Sequence, residues 1–282
     1  MHTSKTSRAH AAAPLLFCCA LLFVCCPVTS ARRRQQPAGK TSDKPAPQQT
    51  QTSPAAPGKD DKSSAAPKAA ALAPTAGPAE LARAAYLSLG GDRFRDLRNM
   101  ILTGTLDLYS PASTQGITGR FGVITAGEKI RQEMQSPFFN ATIIYDGVQN
   151  YSSIRGFEMP PPSKFGLPVL LKHTQPGFTV SALPGKDGKK TRAFRVTDPE
   201  GNSTDFKVDA ATGRLTGYEI PFGGVDFVVE IKETKEIDGV TVPTKFAQRL
   251  NTPQGTFIAE FKVKDVKLNQ ELPADAFAIP AK

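Results

Sequence analysis

Four cysteines occur in the 282 residues, and all of them, Cys18, Cys19, Cys25 and Cys26, belong to one apolar run from Ala11 to Val28. Lys5 and Arg8 precede that run and Val28-Thr29-Ser30-Ala31 closes it. This is the basic, apolar and small-residue order of a secretory leader, so residues 1–31 are expected to be a signal peptide or an N-terminal anchor. Beyond the leader the lack of cysteine excludes a disulfide framework and a thiolate metal site. Histidine is scarce too. Past the leader only His173 remains, beside an apolar stretch where a lone histidine is usually structural. No Gly-x-Ser-x-Gly elbow, His-Glu-x-x-His pair or phosphate loop is present. The expectation is a protein without catalytic residues, metal or cofactor, and not an enzyme.

The leader admits three readings. It can be cleaved after Ser30 or Ala31. It can be lipidated, with Leu22-Phe23-Val24-Cys25 as the nearest approach to a lipidation box. It can also stay as an anchor, its apolar run being at the lower limit for spanning a bilayer. Arg32-Arg33-Arg34 just beyond it favours the cytoplasmic side and conflicts with clean export. All three readings place the rest of the chain outside the cytoplasm, in the periplasm or against an outer membrane.

Residues 32–78 lack large apolar side chains, Leu72 excepted, and are rich in Pro, Ala, Gln, Ser, Thr and Lys. Such a segment buries too little surface to offset its ordering entropy and is expected to be a disordered tether. It also holds most of the excess charge. The chain carries a formal +9, of which the leader supplies +2 and the tether +5, leaving +2 for residues 79–282. The basic character therefore suits a tether lying near an anionic membrane or cell wall. The domain has no basic stripe, and a nucleic-acid partner is not expected.

What residues 79–282 do have is alternation. A helix is expected from Pro78 through Leu81, Ala84, Ala85 and Leu89, stopped at Gly90-Gly91, and a second over Arg93 to Asn99 with Asp92 as its cap. From Met100 to Phe277 short strands of period two succeed one another. Asp146-Gly147, Asp187-Gly188 and Asp238-Gly239 mark hairpin turns that call for positive φ. The alternation is clearest at the end, where Val225, Phe227, Val229 and Ile231 oppose Asp226, Glu230 and Lys232, and Phe257, Ala259, Phe261 and Val263 oppose Glu260, Lys262 and Lys264. One face is thus buried and one wet, as in an antiparallel sheet. The parity slips after Asp265, where a bulge is expected.

The acidic pairs have ordinary explanations. Asp226 and Glu230 fall on the wet face. Asp198-x-Glu200-x-Asn202 lacks the later glutamate of a calcium loop and reads as a turn. One segment, Arg155 to His173, breaks the rhythm. Pro160-Pro161-Pro162 cannot sit within a sheet, while Phe165, Leu167, Val169, Leu170 and Leu171 are too apolar for a solvated loop. It is expected to pack over the sheet, either as a plug that completes the core or as a movable lid.

Several stretches, in this order, resemble the superfamily of periplasmic lipoprotein carriers and outer-membrane lipoprotein-sorting proteins (LolA-like and LolB-like). They are Gly119 to Met134, Ile143-Ile-Tyr-Asp-Gly-Val-Gln-Asn-Tyr151, Phe206 to Leu215, Ile237 to Pro243 and Val266 to Pro280. The resemblance runs from about Ala79 to Pro280. It implies an α+β, mainly β fold: a curled antiparallel sheet, or incomplete barrel, with N-terminal helices and a covering helix or loop. It also implies a groove that shelters acyl chains or lipoproteins. The apolar face of the alternating strands, Leu102, Leu106, Phe121, Val123, Met134, Val229, Ile231, Phe246, Phe257 and Phe261, would form the wall of that groove, and Phe165, Leu167, Leu170 and Leu171 its lid. A monomer is expected. The alternative is a non-catalytic envelope sensor or interaction module whose sheet face is filled by its own side chains.

Overall fold

The computed structural model describes residues 72–154, 162–183, 185–222, 225–253 and 255–280. The expected leader, most of the expected tether and residues 155–161 of the interrupting segment lie outside the described residues.

Helix α1 (Pro78–Ser88) begins as its sequence dictates. Pro78 takes the first turn, where its missing N–H costs nothing, and the Glu80 carboxylate accepts the Gly77 N–H at 2.7 Å. Leu81, Ala82, Ala85 and Leu89 form its buried stripe. The second helix, α2 (Asp92–Arg95), is shorter than expected. It stops after one turn, at Asp96, and Gly91 rather than Asp92 is its N-terminal boundary. Phe94 and Leu97 are nonetheless both buried. A third short helix, α3 (Leu167–Leu171), comes after a single 3-10 turn at Pro162–Lys164.

Twelve strands complete the fold: β1 (Met100–Ser110), β2 (Ser113–Ala126), β3 (Lys129–Gln135), β4 (Asn140–Tyr145), β5 (Asn150–Ser152), β6 (Thr179–Ala182), β7 (Thr191–Thr197), β8 (Ser203–Asp209), β9 (Leu215–Phe222), β10 (Val225–Ile237), β11 (Val240–Thr252) and β12 (Gly255–Leu268). They form one antiparallel sheet in the order β5-β4-β3-β2-β1-β12-β11-β10-β9-β8-β7-β6. Two meanders are therefore joined by their outermost strands in sequence, β1 and β12. The ends β5 and β6 do not pair, so the sheet is not a closed barrel. A sheet this wide does not stay flat, because strand twist accumulates. The buried apolar residues of its strands fall largely on one face, around which it curls.

The turns show how local chemistry sets register. Asp238 and Gly239 both take positive φ, 51° and 75°, as a two-residue hairpin between β10 and β11 requires. Gly147 also has positive φ, but neither Asp187 nor Gly188 does. The β6–β7 connection is a longer loop, in which the Asp187 carboxylate instead accepts the backbone N–H of Ala193 at 2.8 Å. The expected bulge is present one residue earlier than the parity slip suggested. Thr103 pairs with Asp265 and Gly104 with Val263, so Lys264 is the extra residue. It lies at the β1–β12 seam where the two meanders meet. Gly104 is required there: a Cβ would collide with the Lys262 carbonyl and sit 2.9 Å from the Phe121 ring.

Candidate functional site

The ten expected groove-wall residues all belong to six consecutive strands of the sheet, β3, β2, β1, β12, β11 and β10. The pairing register puts them on one face. Leu102 pairs with Val123, Leu106 with Phe261, Phe246 with Phe261, Phe121 with Met134 and Phe246 with Ile231. Nine of the ten are buried and Ile231 is partly so. Their floor is aromatic. The Phe246 and Phe261 rings stack at 4.6 Å, and Phe121 meets Phe261 edge to face at 5.1 Å, in the space that Gly104 leaves. At the far end of the β1–β2 hairpin a cleft of about 250 Å³ opens between Leu108, Ile117 and the exposed ring of Phe138.

All four expected lid residues are buried, Leu167 and Leu170 almost completely. Helix α3 has no wet side: Pro168 and Val169 are buried with them. Its ends are tied by polar contacts. The Gly166 N–H donates to Thr204 Oγ1 of β8 at 3.0 Å, and Lys172 Nζ reaches Glu128 Oε1, in the turn between β2 and β3, at 3.0 Å. The segment thus connects the β8 side of the sheet to the β2–β3 side. His173 lies 5.7 Å from the Tyr86 ring of α1 and makes a 2.7 Å contact between its Nδ1 and the Leu170 carbonyl, in which the ring nitrogen donates. Burial lowers the His173 pKa below its ordinary value, outweighing that bond, which raises it. Its place is just past the end of α3, at the contact with α1.

The remaining helix contacts lie elsewhere on the sheet. Helix α1 packs against β6, β7 and β9, and α3 against α1 and β7. Beneath them Phe194 stacks on Phe206 at 5.3 Å, and Phe206 lies 6.0 Å from Tyr218. On the opposite face Asp205 is buried between Arg195, at 2.6 Å, and Lys186, at 3.1 Å. Burial raises the pKa of this carboxyl, yet the hydrogen bonds from Arg195 and Lys186 prevail and hold it below the usual carboxylate value. Two of the acidic positions weighed in the sequence, Glu230 and Asp198, make structural contacts. Glu230 is gripped by both terminal nitrogens of Arg249, and Asp198 caps its own turn through the N–H groups of Glu200 and Asn202.

Three side chains on the groove-wall strands were not anticipated. Thr125, Gln132 and Gln248 point to the apolar face, are at most 1% exposed, and have no hydrogen-bond partner for Thr125 Oγ1 or for the amide nitrogen and oxygen of either glutamine. Sequence parity already marked them: Gln132 falls midway between Ile130 and Met134, Gln248 between Phe246 and Leu250, and Thr125 two residues past Val123. A buried polar group without a partner costs about 1–3 kcal/mol. Such groups are therefore uncommon in an interior evolved solely for packing.

Among the described residues, no group of three or more His, Cys, Asp or Glu side chains is placed to hold a metal ion, and no helix is long and apolar enough to cross a membrane. No protein-family model and no curated protein matches the chain. Solved structures do match. One is a LolA superfamily protein from Nitrosomonas europaea, with 12% identity and a TM-score of 0.46 over 72% of this chain and 98% of that one. A DUF1329 family protein from Desulfovibrio piger has 9% identity and a TM-score of 0.46, over 72% of this chain and 98% of that one. A putative outer membrane lipoprotein-sorting protein domain from Vibrio parahaemolyticus has 13% identity and a TM-score of 0.43, over 72% and 96%. The likeness is one of fold. The architecture itself, an open curled sheet with helices on its apolar face, rests on the strand order and burial described above.

Proposed function

We propose that the domain is an exported lipid- or lipoprotein-binding module of the cell envelope that holds acyl chains against the apolar face of β3, β2, β1, β12, β11 and β10. The observation that supports this reading is the continuous apolar face that those six strands share, with α3, a helix buried on all sides, packed on α1 and β7 beside it and tied to the β2–β3 turn through Lys172 and Glu128. Movement of α3 away from the β2–β3 turn would open the edge of that face, and an acyl chain would enter along it. Each methylene buried stabilises by about 0.8 kcal/mol, so the site needs shape and dryness but no catalytic group. The basic tether would keep the domain near an anionic membrane or wall, and the leader would export it.

Native mass spectrometry of gently purified protein, together with uptake of a fluorescent fatty acid, tests this. Bound lipid or saturable uptake is expected. A protein that is fully ligand-free and takes up no fatty acid would sink the proposal.

The second reading, a sensor or interaction module with a filled core, draws support from the depth at which Leu170 is buried. Leu170→Arg separates the two. If α3 is a lid, uptake is abolished with a modest loss of stability. If it is a plug, the buried charge costs several kcal/mol and much of the domain unfolds.

A further inference from the structure

The outward face of β1–β4 carries a row of polar side chains that the acyl-binding reading does not use. Thr105 pairs with Arg120, Arg120 with Gln135 and Gln135 with Asn140, so the four stand side by side across four strands. They alternate with the inward Leu106, Phe121 and Met134 and so face away from the acyl wall. At about 4.8 Å per strand the row is about 14 Å long. An open cleft of about 440 Å³ lies along it, and Pro137 is the one apolar side chain in its lining.

This row differs from the rest of the outward face in being unpaired. Five arginines lie on the strands. Arg131 holds Glu133, Arg195 holds Asp205, Arg249 holds Glu230, and Arg192 donates to the carbonyls of Pro74 and Ala76. Arg120 is exposed and has no partner among the described residues, and the side chains of Thr105, Gln135 and Asn140 have none either. The two acids diagonal to Arg120 in the register, Asp107 and Glu133, are committed elsewhere. Asp107 accepts the Thr118 hydroxyl at 2.6 Å and lies 3.8 Å from Lys262, and Glu133 accepts from Arg131 at 2.6 Å.

The free groups select a ligand class. A guanidinium offers a planar fork of donors and no acceptor, which matches a carboxylate or a phosphate. The two carboxamides and the Thr105 hydroxyl each donate and accept, which suits a ligand whose groups do both, as sugar hydroxyls do. The cleft offers no pocket for a hydrocarbon chain or an apolar side chain. We infer that the Thr105–Arg120–Gln135–Asn140 row binds a saccharide carrying an oxyanion, with the carboxylate or phosphate on Arg120 and the hydroxyls on the flanking side chains. The site lies on the opposite face of the sheet from the acyl wall and stands independently of that reading.

Calorimetric titration of the full chain at low ionic strength tests this. Trigalacturonate and glucose 6-phosphate are the anionic sugars, with maltotriose and inorganic phosphate as controls for sugar and anion alone. At least one anionic sugar is expected to bind saturably, on the order of tenfold more tightly than either control, as a charge-assisted pair with flanking hydrogen bonds would give. The tighter of the two tells carboxylate from phosphate. Arg120→Gln is expected to abolish that margin with an unchanged melting temperature, because the side chain is exposed. Lys235→Gln removes an equal charge from an exposed position on β10 and is expected to leave binding within about twofold. Failure of both anionic sugars to bind, or binding that survives Arg120→Gln, overturns the inference. So does an equal loss in Lys235→Gln, which would mark general attraction by the net charge. Inorganic phosphate binding as tightly as the sugars would reduce the row to an anion site and overturn its assignment to a saccharide. Arg120-dependent sedimentation with phosphatidylglycerol vesicles, without sugar binding, would overturn it in favour of a lipid headgroup.

Discussion

Strands β6–β9 and the six strands from β3 across to β10 bury their polar groups on different terms. In the first region Thr204 accepts from Gly166, Asp205 is held by Arg195 and Lys186, and Asp198 caps its turn, so each buried polar residue has a partner. In the second, Thr125, Gln132 and Gln248 are equally buried and have none. The first region is also where α1 packs, over the Phe194, Phe206 and Tyr218 rings. Its interior is complete, as a region built for stability should be. The second buries its apolar side chains as completely but leaves the polar atoms of Thr125, Gln132 and Gln248 without hydrogen-bond partners.

Four substitutions or conditions would break or sharpen that contrast. The largest effect is expected at Phe206→Ala, which empties a ring from the filled region. It should cost about 3–5 kcal/mol in chemical denaturation, while the protein that remains folded keeps its fatty-acid uptake. Gly104→Ala acts on the seam between the meanders. A methyl against the Lys262 carbonyl must push β1 from β12, at about 1–3 kcal/mol, and here uptake should fall as well because Phe121 shares the same space.

Glu128→Gln removes one fastening of α3. The Glu128 and Lys172 side chains are partly exposed, so stability should change by less than about 1 kcal/mol, whereas stopped-flow uptake should accelerate. An unchanged uptake rate together with a large loss of stability would mark α3 as part of the core. The smallest effect concerns pH. Because burial depresses the His173 pKa below 6.5, the neutral ring stabilises the fold above pH 6.5, and that contribution is lost as pH falls through the lowered value. His173→Gln should flatten this component of a pH–stability curve.

Most of the secondary structure was legible because its signals are local. Alternation of single residues located the strands, and Asp238-Gly239 adopted the two positive φ angles that its chemistry favours. Asp187-Gly188 carries the same letters but turns differently, because the Asp187 carboxylate is taken up by Ala193. The pairing of β1 with β12 was not legible, since no local pattern states that the first and last strands meet. Nor did α2 extend to Asn99: Asn99 is drawn instead to the C-terminal segment, donating to the Gln270 carbonyl at 2.7 Å and accepting its N–H. For the site, parity alone gathered the ten wall residues on one face. The same parity held Thr125, Gln132 and Gln248, but attention to apolar letters passed over them. Their meaning emerged only when the structure placed them without partners.

The central claim is that acyl chains lie on β3, β2, β1, β12, β11 and β10 and not among β6–β9. Photo-crosslinking of the full chain with a diazirine-bearing fatty acid, then peptide mapping, tests it directly. Labels are predicted in peptides covering residues 100–135 and 227–261. Labels confined to residues 191–222, or spread evenly over outward-facing positions of the sheet, would contradict it.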